Sequence, residues 1–144
     1  MEEKNDLSIL RELNKGVKIG MDSITFVSDK VGDEEMKDNL SYQYKLYNEI
    51  LDETSDLFSK YGEVPNDSDL GTKMMNWTGV QFNTMTDKSN SHFAELLIQG
   101  NTMGIIEGRK LLNQNPNASL DIQNVLNKFI TIQENNVEKL KTFL

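Results

Sequence analysis

Residues 5–31 read NDLSILRELNKGVKIGMDSITFVSDKV, with apolar side chains at Leu7, Leu10, Leu13, Val17, Met21, Ile24, Val27 and Val31. Every step in that series is three or four residues, the spacing that lines side chains along one face of an α-helix. Asn5 or Asp6 can cap the start, since a short polar side chain accepts from the free N–H groups of the first turn. Gly32-Asp33 ends the helix and offers the next N-cap. A stripe of this length is stable only against other apolar surfaces, so the rest of the chain must supply them.

Residues 34–61 repeat the pattern, with Met36, Leu40, Gln43, Tyr47, Ile50, Leu57 and Phe58 in line, Leu46 and Leu51 alongside, and a thinning at Thr54. Gly62 reads as the stop, and Pro65 follows it. The link between these two helices is so short that they must be antiparallel neighbours. Residues 62–90 are less regular. Asn66, Asp67, Ser68 and Asp69 are turn and cap material. Leu70, Met74, Trp77 and Val80 or Phe82 predict a shorter helix over about 68–85, carried by a crossover. A third long helix is expected over 89–113, with Phe93, Leu96, Leu97, Met103, Ile106 and Leu111 on its apolar side. After a turn around Pro116, Ser119 caps a fourth over 119–143. Its stripe is Ile122, Val125, Phe129, Ile132, Asn136 and Leu140, broadened by Leu126, Ile130 and Val137. The expected fold is all-α. One domain spans 1–144 as a four-helix bundle, and its long crossover carries a short extra helix.

Glycine is the unusual component. Gly100, Gly104 and Gly108 stand at four-residue steps inside the third helix, and Gly16 and Gly20 inside the first. Each interior glycine costs a helix about 1 kcal/mol relative to alanine. A bare stripe lets another segment come close, and the expectation is that the two stripes face each other. The alternative is drift at weakly constrained positions.

Composition excludes several classes. There is no cysteine, hence no thiolate metal site, cysteine nucleophile or disulfide framework. The net charge is −8 and the lysines and arginines are scattered, which leaves no basic face for nucleic-acid phosphates. No stretch is as apolar as a membrane span, and residues 1–6 are charged where a leader would be apolar. The expected setting is soluble and cytoplasmic. No phosphate loop or nucleophile elbow is present.

The segments Leu13–Met21 (LNKGVKIGM) and Leu57–Pro65 (LFSKYGEVP), together with Gly71 to Trp77 and the helix from Gly100 to Leu111-Leu112, resemble a family of small bacterial ferritin-like proteins of unknown function. The resemblance covers about residues 7–143 and rests on Gly62, Pro65, Trp77 and Gly100. It implies a four-helix bundle and carries no established activity. Di-iron members of the wider superfamily place a Glu on each of two helices and Glu-x-x-His on each of the other two. The corresponding positions here read Gln43-x-x-Leu46 and Gln133-x-x-Asn136. Amides and a leucine are poor iron ligands. Asp22 and Glu107 are the acidic residues that the first and third helices offer, and a standard di-iron set is missing.

Three groups remain as candidates. His92 and Glu95, three apart, could ligate a metal with Glu49 or Glu53 from the second helix, or be ordinary surface residues. Glu49, Asp52, Glu53 and Asp56 form an acidic ridge that suits a divalent cation or is simply solvated. Gln43, Gln133 and Asn136 interrupt apolar stripes, as a core polar network or as residues rotated to the bundle's edge. Three functions follow. The first is a non-enzymatic structural or protein-interaction module, partnered by a second copy of itself (a homodimer) or by another protein, with no cofactor. The second is an iron, manganese or zinc protein or oxidase drawing on Asp22, Glu49, Glu53, His92, Glu95, Glu107 and Glu138. The third is a small-molecule binder with a polar cavity between helices.

Overall fold

The computed structural model describes residues 2–65, 79 and 81–144, with side chains from Asn5 onward. Four long helices dominate it: α1 (Glu2–Ser28), α2 (Glu34–Lys60), α3 (Asn90–Gln114) and α4 (Leu120–Leu140), the last followed by a 3-10 turn at Lys141–Phe143. Three helix starts are fixed by side-chain caps. Asp33 accepts from the Met36 N–H at 2.8 Å, Ser89 from His92 at 3.1 Å and Ser119 from Ile122 at 3.4 Å. Helix α2 stops in a Schellman turn. Glu63 N–H donates to Phe58 O and Gly62 N–H to Ser59 O, both at 3.0 Å, with Gly62 at φ +70°. Helix α1 ends at Ser28 rather than at Val31. The Val27 carbonyl accepts from both Lys30 (2.9 Å) and Val31 (3.0 Å), and this tightened turn leaves Val31 buried.

Contacts at the helix ends set the directions. The start of α1 meets the end of α2, where Tyr61 Oη donates to Asp6 at 2.6 Å. It also meets the end of α3, where Asn5 donates to Asn115 at 2.9 Å. Lys60 at the end of α2 pairs with Asp121 at the start of α4 (3.0 Å), and Glu35 at the start of α2 with Lys139 near the end of α4 (3.5 Å). Neighbouring helices are therefore antiparallel. α1 packs on α2 and α3, and α4 packs on the same two, with α3–α4 the most extensive seam. α2 and α3 lie on one diagonal and run the same way. Since α2 has 27 residues, the connection between them must return over about 40 Å. Of the expected 68–85 helix, most lies outside the described residues, including Leu70, Met74, Trp77 and Val80. Residues 81–83 are helical and the chain has left the helix by Thr84. Phe82 packs against Phe26 with ring centroids 4.8 Å apart and the rings tilted by 43°.

One apolar cluster runs through the bundle from Leu7 to Leu140. Leu10, Val17, Val27, Met36, Leu40, Ile50, Phe58, Phe93, Ile122 and Leu126 are wholly enclosed or nearly so. The expected stripes of α1, α2 and α4 face it. Thr54, where the α2 pattern thins, is nevertheless fully buried. Helix α3 differs most from expectation. Its inner face continues from Phe93, Leu96 and Leu97 through Asn101, Gly104 and Gly108, while Ile106 is 48% exposed. The close α3–α4 seam explains this. A Cβ on Gly108 would stand 2.8 Å from Ile130 Cγ1, and one on Gly104 would stand 3.0 Å from Gln133 Nε2. The two glycine stripes meet only in part: Gly100 borders the same cavity as Gly16 and Gly20, while the closest approaches are to side chains. Gly104 and Gly108 receive side chains of α4, and Gly20 receives the Tyr47 ring of α2, whose Cζ would be 2.9 Å from a Cβ. Gly16 would meet Phe129 only at an ordinary 3.6 Å. Among the described residues, no helix is long and apolar enough to cross a membrane.

Gly108→Ala should destabilise the protein although alanine favours a helix by about 1 kcal/mol, because overpacking a stiff Ile130 costs about 1–3 kcal/mol. Gly62→Ala meets no neighbour, so its expected cost, roughly 1–2 kcal/mol, is that of a left-handed backbone alone. Urea midpoints report both. An unchanged or raised midpoint for Gly108→Ala would mean that the α3–α4 seam has slack.

Candidate functional site

The centre of the bundle is polar. Tyr47 of α2, Asn101 of α3, and Gln133 and Asn136 of α4 converge there, each 7% exposed or less. The Tyr47 hydroxyl lies 3.1 Å from Gln133 Oε1 and 3.2 Å from Asn101 Oδ1. A phenol has one hydrogen, so it donates to one of these at a time. Asn136 Nδ2 donates to Asn101 Oδ1 at 3.2 Å and reaches the Tyr47 oxygen at 3.5 Å. Asn101 Nδ2 closes the set on its own helix, at 2.7 Å from Leu97 O. Enclosure pushes the Tyr47 hydroxyl well above its ordinary pKa, against a smaller opposite pull from the Asn136 and Gln133 hydrogen bonds. The cluster therefore holds no formal charge, and a neutral phenol among amides can donate, accept and fix orientation without doing acid–base work near neutral pH.

Gln43, expected in the same network, is 1% exposed and donates within α2 to Asn39 at 2.6 Å. It joins Tyr47, Asn101 and Gln133 only as a wall of a cavity of about 30 Å³, which Gly16, Gly20, Ser23 and Gly100 also border. Two further polar links tie α1 to α2. Thr54 Oγ1 donates to Asn14 Oδ1 at 2.6 Å, and Asp6 takes Tyr61 and also the Ser119 N–H, at 3.4 Å.

The candidate metal ligands are not brought together. Glu49 and Glu53 sit on α2, whereas His92, Glu95 and Glu107 sit on α3, the opposite corner of the bundle with the apolar core between. His92 Nδ1 lies 3.3 Å from Glu95 Oε2, Glu107 pairs with Lys110 at 3.7 Å, and Glu53 pairs with Lys128 of α4. Glu138 pairs with Lys141 at 2.8 Å, and Asp22, Asp52 and Asp56 face solvent. Among the described residues no three His, Asp or Glu side chains are grouped so as to hold a metal ion.

Asn101, Asn14 and Thr54 are the central residues that pattern reading passes over. Asn101 has a usable signal, because Leu97, Asn101, Gly104 and Gly108 keep helical spacing once glycine and asparagine are allowed on an inner face. Asn14 and Thr54 have none beyond their position beside apolar stripes.

No family model and no curated protein matches the chain. A solved structure does match: YcfI from Rhodopseudomonas palustris, described as "a putative structural protein". It superposes with a TM-score of 0.78 over 100% of this chain and 95% of its own length, at 13% identity. Likeness at that identity is a likeness of fold.

Tyr47→Phe should lower stability at neutral pH by about 1–3 kcal/mol, since Asn101, Gln133 and Asn136 lose a shared partner. The folded-state pKa of Tyr47 is raised, so its contribution is complete below the unfolded value of about 10. Above that pH the unfolded chain releases a proton that the folded one keeps, and the native protein loses about 1.4 kcal/mol per pH unit that the variant does not lose. The gap between the two should narrow in urea titrations above pH about 10. A constant gap would mean that the phenol ionises freely in the folded state.

Proposed function

We propose that this chain is a ferritin-like four-helix bundle acting as a structural or protein-interaction module, without a reaction of its own. The observation that carries the reading is the chemistry of the centre. Where di-iron bundles converge carboxylates and imidazoles, Tyr47, Asn101, Gln133 and Asn136 present a phenol and three amides, already bonded to one another. Hard or borderline metal ions are poorly served by such donors. The helix order supports the ferritin-like assignment: two antiparallel helices, a long return, and two more, with α2 and α3 parallel across the diagonal. The likeness to YcfI, a protein described in structural terms, points the same way.

With the central amides enclosed, the outer surface is where this module meets other molecules, either a second copy of itself or another protein. Its acidic balance of −8 argues against nucleic acid as that partner, and the cytoplasm is the compartment the reading assumes.

Elemental analysis of tag-free protein, produced with iron, manganese and zinc supplied, tests the reading. The expected result is no stoichiometric transition metal after dialysis. Stoichiometric metal, lost on replacing Glu49, Glu53 or His92 by alanine, would overturn it. Light scattering across a concentration series separates self-association from a purely heterologous role.

A further inference from the structure

The central cavity has an incomplete polar wall. Gln43 and Gln133 are 1% and 3% exposed, and both border it. The Gln43 amide donates through Nε2 to Asn39, and the Gln133 amide accepts through Oε1 from Tyr47. Their other terminal atoms, Gln43 Oε1 and Gln133 Nε2, make no hydrogen bond among the described residues. Yet no sealed side-chain nitrogen or oxygen among the described residues lacks a partner. These two atoms therefore keep some access to solvent, and the cavity is the space that both residues border. An amide buried to this degree and left unbonded is costly, and the cavity is where that cost can be relieved.

The size of the space decides the ligand. A cavity of about 30 Å³ exceeds the roughly 10–15 Å³ that one water needs, and is too small for an organic cofactor or metabolite. Buried waters typically make about three hydrogen bonds. The wall offers Gln43 Oε1 as acceptor and Gln133 Nε2 as donor, with lone pairs on the oxygens of Tyr47 and Ser23. Water both donates and accepts, so it satisfies the two amides whichever way each is turned. An ion would find no charged side chain among the described lining residues.

We propose that this cavity is a built internal hydration site, holding one or two long-lived waters that bridge Gln43 and Gln133 and complete the hydrogen bonding between α2 and α4. Gly16, Gly20 and Gly100 bordering the space gain a purpose beyond helix approach: they leave room for the solvent.

Water-oxygen magnetic relaxation dispersion on the intact protein should detect one or two waters exchanging slowly with bulk, and Gln43→Leu should remove that signal. If Gln43→Leu does not fold, the wild type alone suffices. Its Gln133 side-chain amide protons should show cross-relaxation with water of the sign and persistence of a bound molecule. No slowly exchanging water and no such cross-peak would overturn the proposal. So would cross-peaks from a co-purifying organic molecule at Gln133, or an undiminished signal in a folded Gln43→Leu.

Discussion

The Tyr47 side chain touches every layer of this bundle. Its ring rests on Gly20 of α1, where a single added methyl would approach Cζ to 2.9 Å, and its hydroxyl reaches Asn101 of α3 and Gln133 of α4. A group bonded across three helices in a buried interior has few alternative positions, since any shift that lengthens one bond leaves a buried amide unpaired. The apolar contacts around it are non-directional and would tolerate some sliding of one helix past another. The phenol and its amides do not. They set the register of α2 against α3 and α4, and the glycines set how near those helices come.

The glycine positions follow from the same constraint. Gly104 lies under the Gln133 amide and Gly108 under Ile130. Each lets α4 approach α3 by the thickness of a methyl group, and the approach brings Gln133 and Asn136 within reach of Asn101. Helix propensity is given up at both sites, by about 1 kcal/mol each. The polar centre and the glycine stripe are thus one arrangement seen from two helices.

The acidic character of the chain has a more ordinary arrangement. Glu53, Glu35, Glu107 and Glu138 are met by lysines on the same or a neighbouring helix. The pairs are partly exposed, so each contributes little to stability. Two of them, with Lys60 and Asp121, mark how α2 lies against α4. The surface is therefore a solvated shell around a core whose centre is ordered by neutral groups.

Four long helices, their caps at Asp33 and Ser119, and the stop at Gly62 could be read from residue spacing alone, because periodicity and capping act within one turn of one helix. The same reading identified Gln133 and Asn136 as anomalies on apolar stripes, and those residues do lie in the interior. It could not tell that Gln43 would bond within its own helix, that Asn101 would complete the cluster, or that Gly104 and Gly108 would take side chains of α4. Nor could it place Glu49 and Glu53 on the far corner from His92 and Glu95. Those outcomes depend on how each helix is rotated about its axis and which helix stands opposite. Rotation is chosen by packing among all four at once. The amphipathic stripe says which face is buried, and only the assembled bundle decides what each buried side chain meets.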